Sequence, residues 1–156
     1  MSDSSLAAFN HFLYQHIPSV KFMQLKLLSC DDNTLLATAP AKPNLNDKQT
    51  IFGGSSSALM TVCGWSLIKY NLEQMGFKND VVIADAHTRW KKAQKDDLII
   101  NAHCDCDWPD ILRALNNKQQ PKITIETQVN NQQNQPCTTM TATFVVLVNK
   151  LAKAEY

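Results

Sequence analysis

Between Gly53 and Met75 the chain can form one long helix whose first half has no polar face, and this stretch limits the fold more than any other. Ser55, Ser56, Ser57, Ala58, Leu59, Met60, Val62, Cys63 and Trp65 leave it small or apolar on every side. A helix of this kind must be covered all round. Its later turns become amphipathic, and Gly76 suits a left-handed C-cap.

The residues beyond Gly76 can supply the cover. Residues 81–91, 98–106, 122–129 and 138–148 alternate or are rich in β-branched side chains, which predicts four strands. Residues 94–97 form a turn between the first two, and residues 130–136 a turn-rich link between the last two. Asp107-Trp108-Pro109-Asp110 reads as an N-cap with proline in the first turn, opening a short helix that runs through Leu115. Ahead of the long helix, Phe9, Phe12, Leu13 and Ile17 recur at helical spacing, with Pro18 as the stop. Residues 22–29 and 34–39 predict a hairpin closed by Asp31-Asp32-Asn33, and residues 40–49 a polar loop. Helix, two strands, buried helix and four strands predict a single α+β domain over residues 1–156. In it one antiparallel sheet curls round a central helix, which is the hot-dog architecture.

Composition removes several functions. Fifteen Lys and Arg against fourteen Asp and Glu leave a net charge of +1, with no basic block to attract nucleic acid or an anionic membrane. No apolar run approaches the ~20 residues of a membrane span, and Met1 to Ser5 lack the features of a signal peptide, so a cytoplasmic protein is expected. The five cysteines, Cys30, Cys63, Cys104, Cys106 and Cys137, are odd in number and scattered, which predicts reduced thiols. Cys104-x-Cys106 beside His103 is too closely spaced for a usual zinc pair and lacks a second pair, so neither metal nor cofactor is expected. Cys63 has no basic neighbour to activate it as a nucleophile, and His11, His16 and His103 read as surface groups.

Gly53-Gly54 lets backbone come close to something at the start of the long helix. Two readings stand: a tight loop-to-helix turn, or a pair of exposed N–H groups suited to a developing oxyanion.

The run Pro43-Asn44-Leu45-Asn46 through Phe52-Gly53-Gly54-Ser55-x-Ser57-Ala58-Leu59, with Val82-Ile83-Ala84-Asp85-Ala86-His87-Thr88-Arg89, resembles one branch of the hot-dog thioesterases. That branch is the putative-thioesterase domain found alone or at the carboxy-terminal end of YiiD-type acetyltransferase fusions. The resemblance implies an acyl thioester of coenzyme A or acyl carrier protein as substrate, and a homodimer or dimer of dimers. It implies that Asn46 and the Gly53 or Gly54 amide polarise the thioester carbonyl. Phe52 departs from the pattern, standing where many relatives have histidine. So does Thr61, which replaces the helix Asp or Glu that orients water. Asp47 or Asp85 must then supply the base. Alternatively the same oxyanion site decarboxylates a malonyl thioester, which needs no such base, or the domain only binds acyl-CoA. Asn44, Ser55 and Ser57 are further candidates for touching substrate. Asp85, His87 and Arg89 share a strand face and either help to close a pocket at the twofold mate or form an exposed charged face.

Overall fold

The computed structural model describes residues 3–149, with side chains from residue 6 onward. The expected domain over residues 1–156 extends beyond them at both ends. The elements are α1 (Asp3–His16), α2 (Pro18–Met23), β1 (Lys26–Cys30), β2 (Thr34–Ala39), α3 (Gly53–Gln74), β3 (Val81–Trp90), β4 (Leu98–His103), α4 (Trp108–Asn116), β5 (Lys122–Asn130) and β6 (Pro136–Val146). The strands form one antiparallel sheet in the order β1-β2-β4-β5-β6-β3. The sheet wraps α3, the hot-dog arrangement that the order of elements predicts.

Alternation decides which face of each strand meets the helix. Leu35 and Ala37, Ile100 and Ala102, Ile123 and Ile125, and Met140 and Phe144 are buried, while their neighbours Asn101, Glu126 and Thr141 lie on the outer face. Leu59, Met60, Cys63, Leu67, Ile68 and Leu72 fill the interior from α3. Each large aliphatic side chain buried in this way stabilises the fold by roughly 1.5–3 kcal/mol. Helix and sheet approach so closely at Gly64 that a Cβ there would lie 2.9 Å from the Phe144 ring. Gly76 ends the helix with φ +84°, the left-handed turn expected of it.

The N-terminal helix and the hairpin form as expected, but the segment between them departs from expectation. Pro18 does not merely stop α1. It takes the N1 position of α2, where its missing N–H costs nothing. Phe22 and Met23 are therefore helical, and β1 begins only at Lys26.

The strand expected over residues 98–106 ends at His103, because the Cys104 amide turns to the carbonyl of Asn33 at 2.9 Å. On this departing loop the expected pair of free thiols is corrected: Cys104 and Cys106 are joined in a disulfide, their Cα atoms 5.4 Å apart. Residues two apart on a strand share a face but lie roughly 6.6 Å apart by its rise; leaving the sheet lets the two sulfurs meet. Cys30, Cys63 and Cys137 are free. The short helix forms as predicted, with the Asp107 carboxylate accepting from the Asp110 amide at 3.2 Å.

The two edge strands differ. Along β1 the side chain of Asn10 acts as a substitute strand: its Nδ2 donates to the Leu27 carbonyl at 3.0 Å, and its Oδ1 accepts from the Leu27 amide at 2.8 Å. β3 pairs with β6 only. Beyond Val81, whose carbonyl accepts from Trp65 Nε1 at 2.8 Å, its outer backbone groups have no partner among the described residues.

Candidate active site at the start of the central helix

The loop before α3 is closed by its own side chains. Asn46 Oδ1 accepts from the amides of Lys48 at 2.9 Å and Thr50 at 3.1 Å, while Asn46 Nδ2 donates to Thr50 Oγ1 at 2.9 Å. One of its two amide hydrogens is left over. Asn44 is 1% exposed and turns inward, donating to the carbonyls of Met23 at 3.0 Å and Pro40 at 2.8 Å. Both of its hydrogens are thus committed to the scaffold.

Two backbone bonds then aim the helix start. The Phe52 amide donates to the Asn44 carbonyl at 2.8 Å, and the Ile51 amide to the Gln94 carbonyl at 2.7 Å. Gln94 is itself buried, its Nε2 donating to the carbonyls of Asp97 and Asn130, both at 3.1 Å. Sequence reading missed Gln94, because its partners lie on another loop and another strand.

The Phe52 carbonyl takes the amides of Ser55 at 2.9 Å and Ser56 at 3.2 Å. Among the described residues the amides of Gly53 and Gly54 have no acceptor, and no side chain caps the helix. These two N–H groups carry the positive end of the helix dipole. Aromatic rings bracket them. A Cβ on Gly54 would lie 2.5 Å from Phe52 Cε1, and one on Gly53 would lie 2.9 Å from Trp90 Nε1, which donates to the Gly53 carbonyl at 3.1 Å. Phe52 and Trp90 are 56% and 59% exposed, so the rings flank the amides without sealing them. Trp90 was also missed, although a tryptophan ending a strand beside two lysines was a visible signal. A hollow of about 220 Å³ here is lined by Ile51, Gly53, Ser56, Trp90, Lys91 and Lys92.

The remaining predicted residues are more dispersed. Ser55 and Ser57 lie half-buried in the first turns. The Thr61 hydroxyl donates to the Ser57 carbonyl at 2.9 Å, inside its own helix. Asp47 is exposed and pairs with Lys48. Asp85, His87 and Arg89 lie opposite Thr143, Thr141 and Thr139, which puts them together on the outer sheet face, with Arg89 Nε donating to His87 Nε2 at 3.2 Å. Neither carboxylate bonds to the helix start within one chain. Burial pushes the Cys63 thiol far above its ordinary range, and burial, aided by Asp31 and Asp32, holds Cys30 at about 12, so neither supplies a thiolate.

The family profile described as "Putative thioesterase (yiiD_Cterm)" matches residues 6–148. The chain belongs to this family. Its structure is similar to that of the putative thioesterase from Shewanella oneidensis, with TM-score 0.84 and 26% identity over 94% of this chain and 99% of that one. A Chlorobaculum tepidum protein of unknown function superposes with TM-score 0.85 at 22% identity, covering 94% and 100%. A Haemophilus influenzae thioesterase does so with TM-score 0.76 at 16% identity, covering 96% and 94%. The latter two likenesses concern the fold. Among the described residues of this family member no helix is long and apolar enough to cross a membrane.

Proposed function

We propose that the chain is a cytoplasmic enzyme that hydrolyses an acyl thioester of coenzyme A or acyl carrier protein, holding the carbonyl oxygen on the amides of Gly53 and Gly54. The observation that carries this reading is a pair of adjacent N–H groups without acceptors, at the start of a 22-residue helix and between two aromatic rings. When water adds to the carbonyl carbon, the oxygen becomes an anion, and it re-forms the carbonyl as the thiolate leaves. Donors fixed in place beforehand stabilise that anion more than the ground state. The spare hydrogen of Asn46 is a third donor. Ser55, Ser57 and Phe52 border the acyl group.

Asp47 and Asp85 are the candidates for taking the proton from water. A homodimer formed through the open edge of β3 would set the edge strand of one copy beside the helix start of the other. Asp85, with His87 and Arg89, lies on the outer face of that strand, which edge pairing continues, so Asp47 on the loop before α3 is the better placed of the two carboxylates. A dimer of dimers would preserve the same sites.

The deciding experiment measures thiol release from acyl-CoA and acyl-carrier thioesters beside carbon dioxide release from a malonyl thioester. Thiol release without carbon dioxide is expected. Carbon dioxide release alone would replace hydrolysis by decarboxylation, and binding without either would leave an acyl-CoA binding module. Asn46→Ala should lower turnover about a hundredfold, the weight of one oxyanion donor. Asn46→Asp, which keeps the acceptor of the turn and removes the donor, should do the same. Undiminished turnover in a folded Asn46→Asp protein would remove Asn46 from the reaction. Changing the responsible one of Asp47 and Asp85 to Asn should slow hydrolysis by roughly 10²–10⁴.

A further inference from the structure

The Cys104–Cys106 disulfide lies at the opposite pole of the sheet from Gly53. The start of β4 adjoins the loop that holds Ile51, and the cysteines come after its far end, about 17 Å away by the rise of five strand residues. The bond closes a ring of only three residues, and the chain-entropy stabilisation of a disulfide grows with the size of its ring. The α4 segment is already fixed by the Asp107 cap, by Trp108 Nε1 donating to the Asp32 carbonyl at 2.8 Å and by the burial of Ile111 and Leu115. Stability therefore gives little reason for the pair.

Its surroundings are those of an exchange site. Cys104 and Cys106 are among the residues lining a groove of about 410 Å³ between α4 and β5. Cys104 is 2% exposed, while Cys106 is half-buried. Attack is thus possible at one sulfur only. Cys104 Sγ lies 3.8 Å from Asn33 Oδ1, an acceptor that a thiol can use and a disulfide cannot. The reduced state accordingly has a partner waiting for its new hydrogen.

We propose that Cys104 and Cys106 form a reversible thiol–disulfide site for a small aminothiol. The thiolate of the incoming molecule attacks Cys106 Sγ, the Cys104–Cys106 bond breaks, and the electron pair goes to Cys104 Sγ, which takes a proton from solvent and donates to Asn33. A second aminothiol attacks its counterpart in the mixed disulfide and releases the Cys106 thiolate. Two thiols are oxidised to one small disulfide while the protein gains two electrons and two protons, and the reverse sequence closes the pair. The charge of the groove selects the partner. Asp105, Asp107, Asp110 and Glu126 line it against the single ammonium of Lys122; Asp110 is paired with Arg113, and His103 Nε2 lies 3.0 Å from Asp105 Oδ1. A thiol bearing an ammonium is attracted there, whereas a thiol carrying net negative charge is repelled.

Equilibrating the folded protein in cysteamine and cystamine mixtures, then denaturing it, alkylating it and measuring intact mass, tests the site. The number of alkylated cysteines should fall from five to three as the cystamine fraction rises, and return to five when it drops. Five labels at every ratio, or three that never return to five, would overturn the proposal. The Cys104→Ser protein should hold one cysteamine on residue 106 by peptide mapping, and Cys106→Ser should take none on residue 104. An adduct on Cys104 would overturn the direction of attack. Faster closure by glutathione disulfide than by cystamine would overturn the aminothiol assignment.

Discussion

At one edge of the sheet the five residues of β1 meet the side chain of Asn10, which satisfies both backbone groups of Leu27; at the other, the ten residues of β3 run uncovered beyond Val81. An unpaired strand edge is a template for another strand, and proteins that do not use one blunt it. This chain blunts only one. The comparison makes β3 the edge proposed to receive a second copy, which would extend the sheet. The exposed Val82 and Ile83 at the beginning of β3 add apolar surface to the same edge.

The comparison can be broken most sharply at β3. Val82→Lys with Ile83→Lys sets like charges against each other wherever two such edges pair. Sedimentation velocity at micromolar concentration should then show a monomer, against the dimer expected of the parent protein. Thioester turnover should fall about a hundredfold or more, since small losses of positioning have effects of that size. A monomeric parent, or a fully active monomeric variant, would separate the open edge from the site.

At the closed edge the effect should be smaller and of another kind. Asn10→Ala removes two hydrogen bonds and leaves half-buried backbone groups on Leu27 unpaired, a loss of about 1–3 kcal/mol. The melting temperature should fall by roughly 2–4 °C for each kcal/mol lost, with assembly and turnover unchanged. A change in the oligomer would show that β1 also takes part in assembly.

The smallest effect belongs to the hairpin turn between β1 and β2. The amide of Asn33, with the hydroxyl and amide of Thr34, holds the Asp31 carboxyl below its ordinary value. A depressed carboxylate contributes stability that is fully present above its unfolded value of about 3.9 and is lost as pH falls through its folded value. Asp31→Asn should therefore lower stability modestly at neutral pH and leave the acid end nearly unchanged, flattening the acid limb, as urea titrations between pH 2 and pH 7 would show. An unaltered acid limb would mean that the turn carries no pH-dependent stability.

What the sequence disclosed depended on how local the cause was. The central helix, its Gly76 cap, the Asp107 cap and the alternation of β5 and β6 are written in neighbouring residues, and they were legible. Pro18 reads as an end and is a beginning, since proline suits both sides of a helix boundary and only the packing of Val20 and Met23 decides. The register shift between Ile83 and Asp85 left no local mark, yet it places Ile83 opposite buried Phe144 and Asp85 opposite Thr143. At the candidate site the glycine pair stood out, but Gln94, Trp90 and the inward turn of Asn44 arise from contacts between loops far apart in sequence. The disulfide escaped because two cysteines separated by one residue look like strand alternation until the strand is seen to end before them.

α3 is exposed at Gly54, Glu73 and Gln74, but the later turns expected to be amphipathic are enclosed on every side, with a consequence for how this sequence can vary. A helix on a protein surface tolerates change along one stripe, so its mutational profile repeats every 3.6 residues. Every residue from Ser66 to Leu72 is buried, with Lys69 and Asn71 held by the carbonyls of Asn79 and Asp31. Saturation mutagenesis of this segment should therefore give a flat, intolerant profile without periodicity. Drift along the helix must instead proceed by compensation across the interface, with a side chain at Gly64 admissible only where the residue at Phe144 shrinks to receive it.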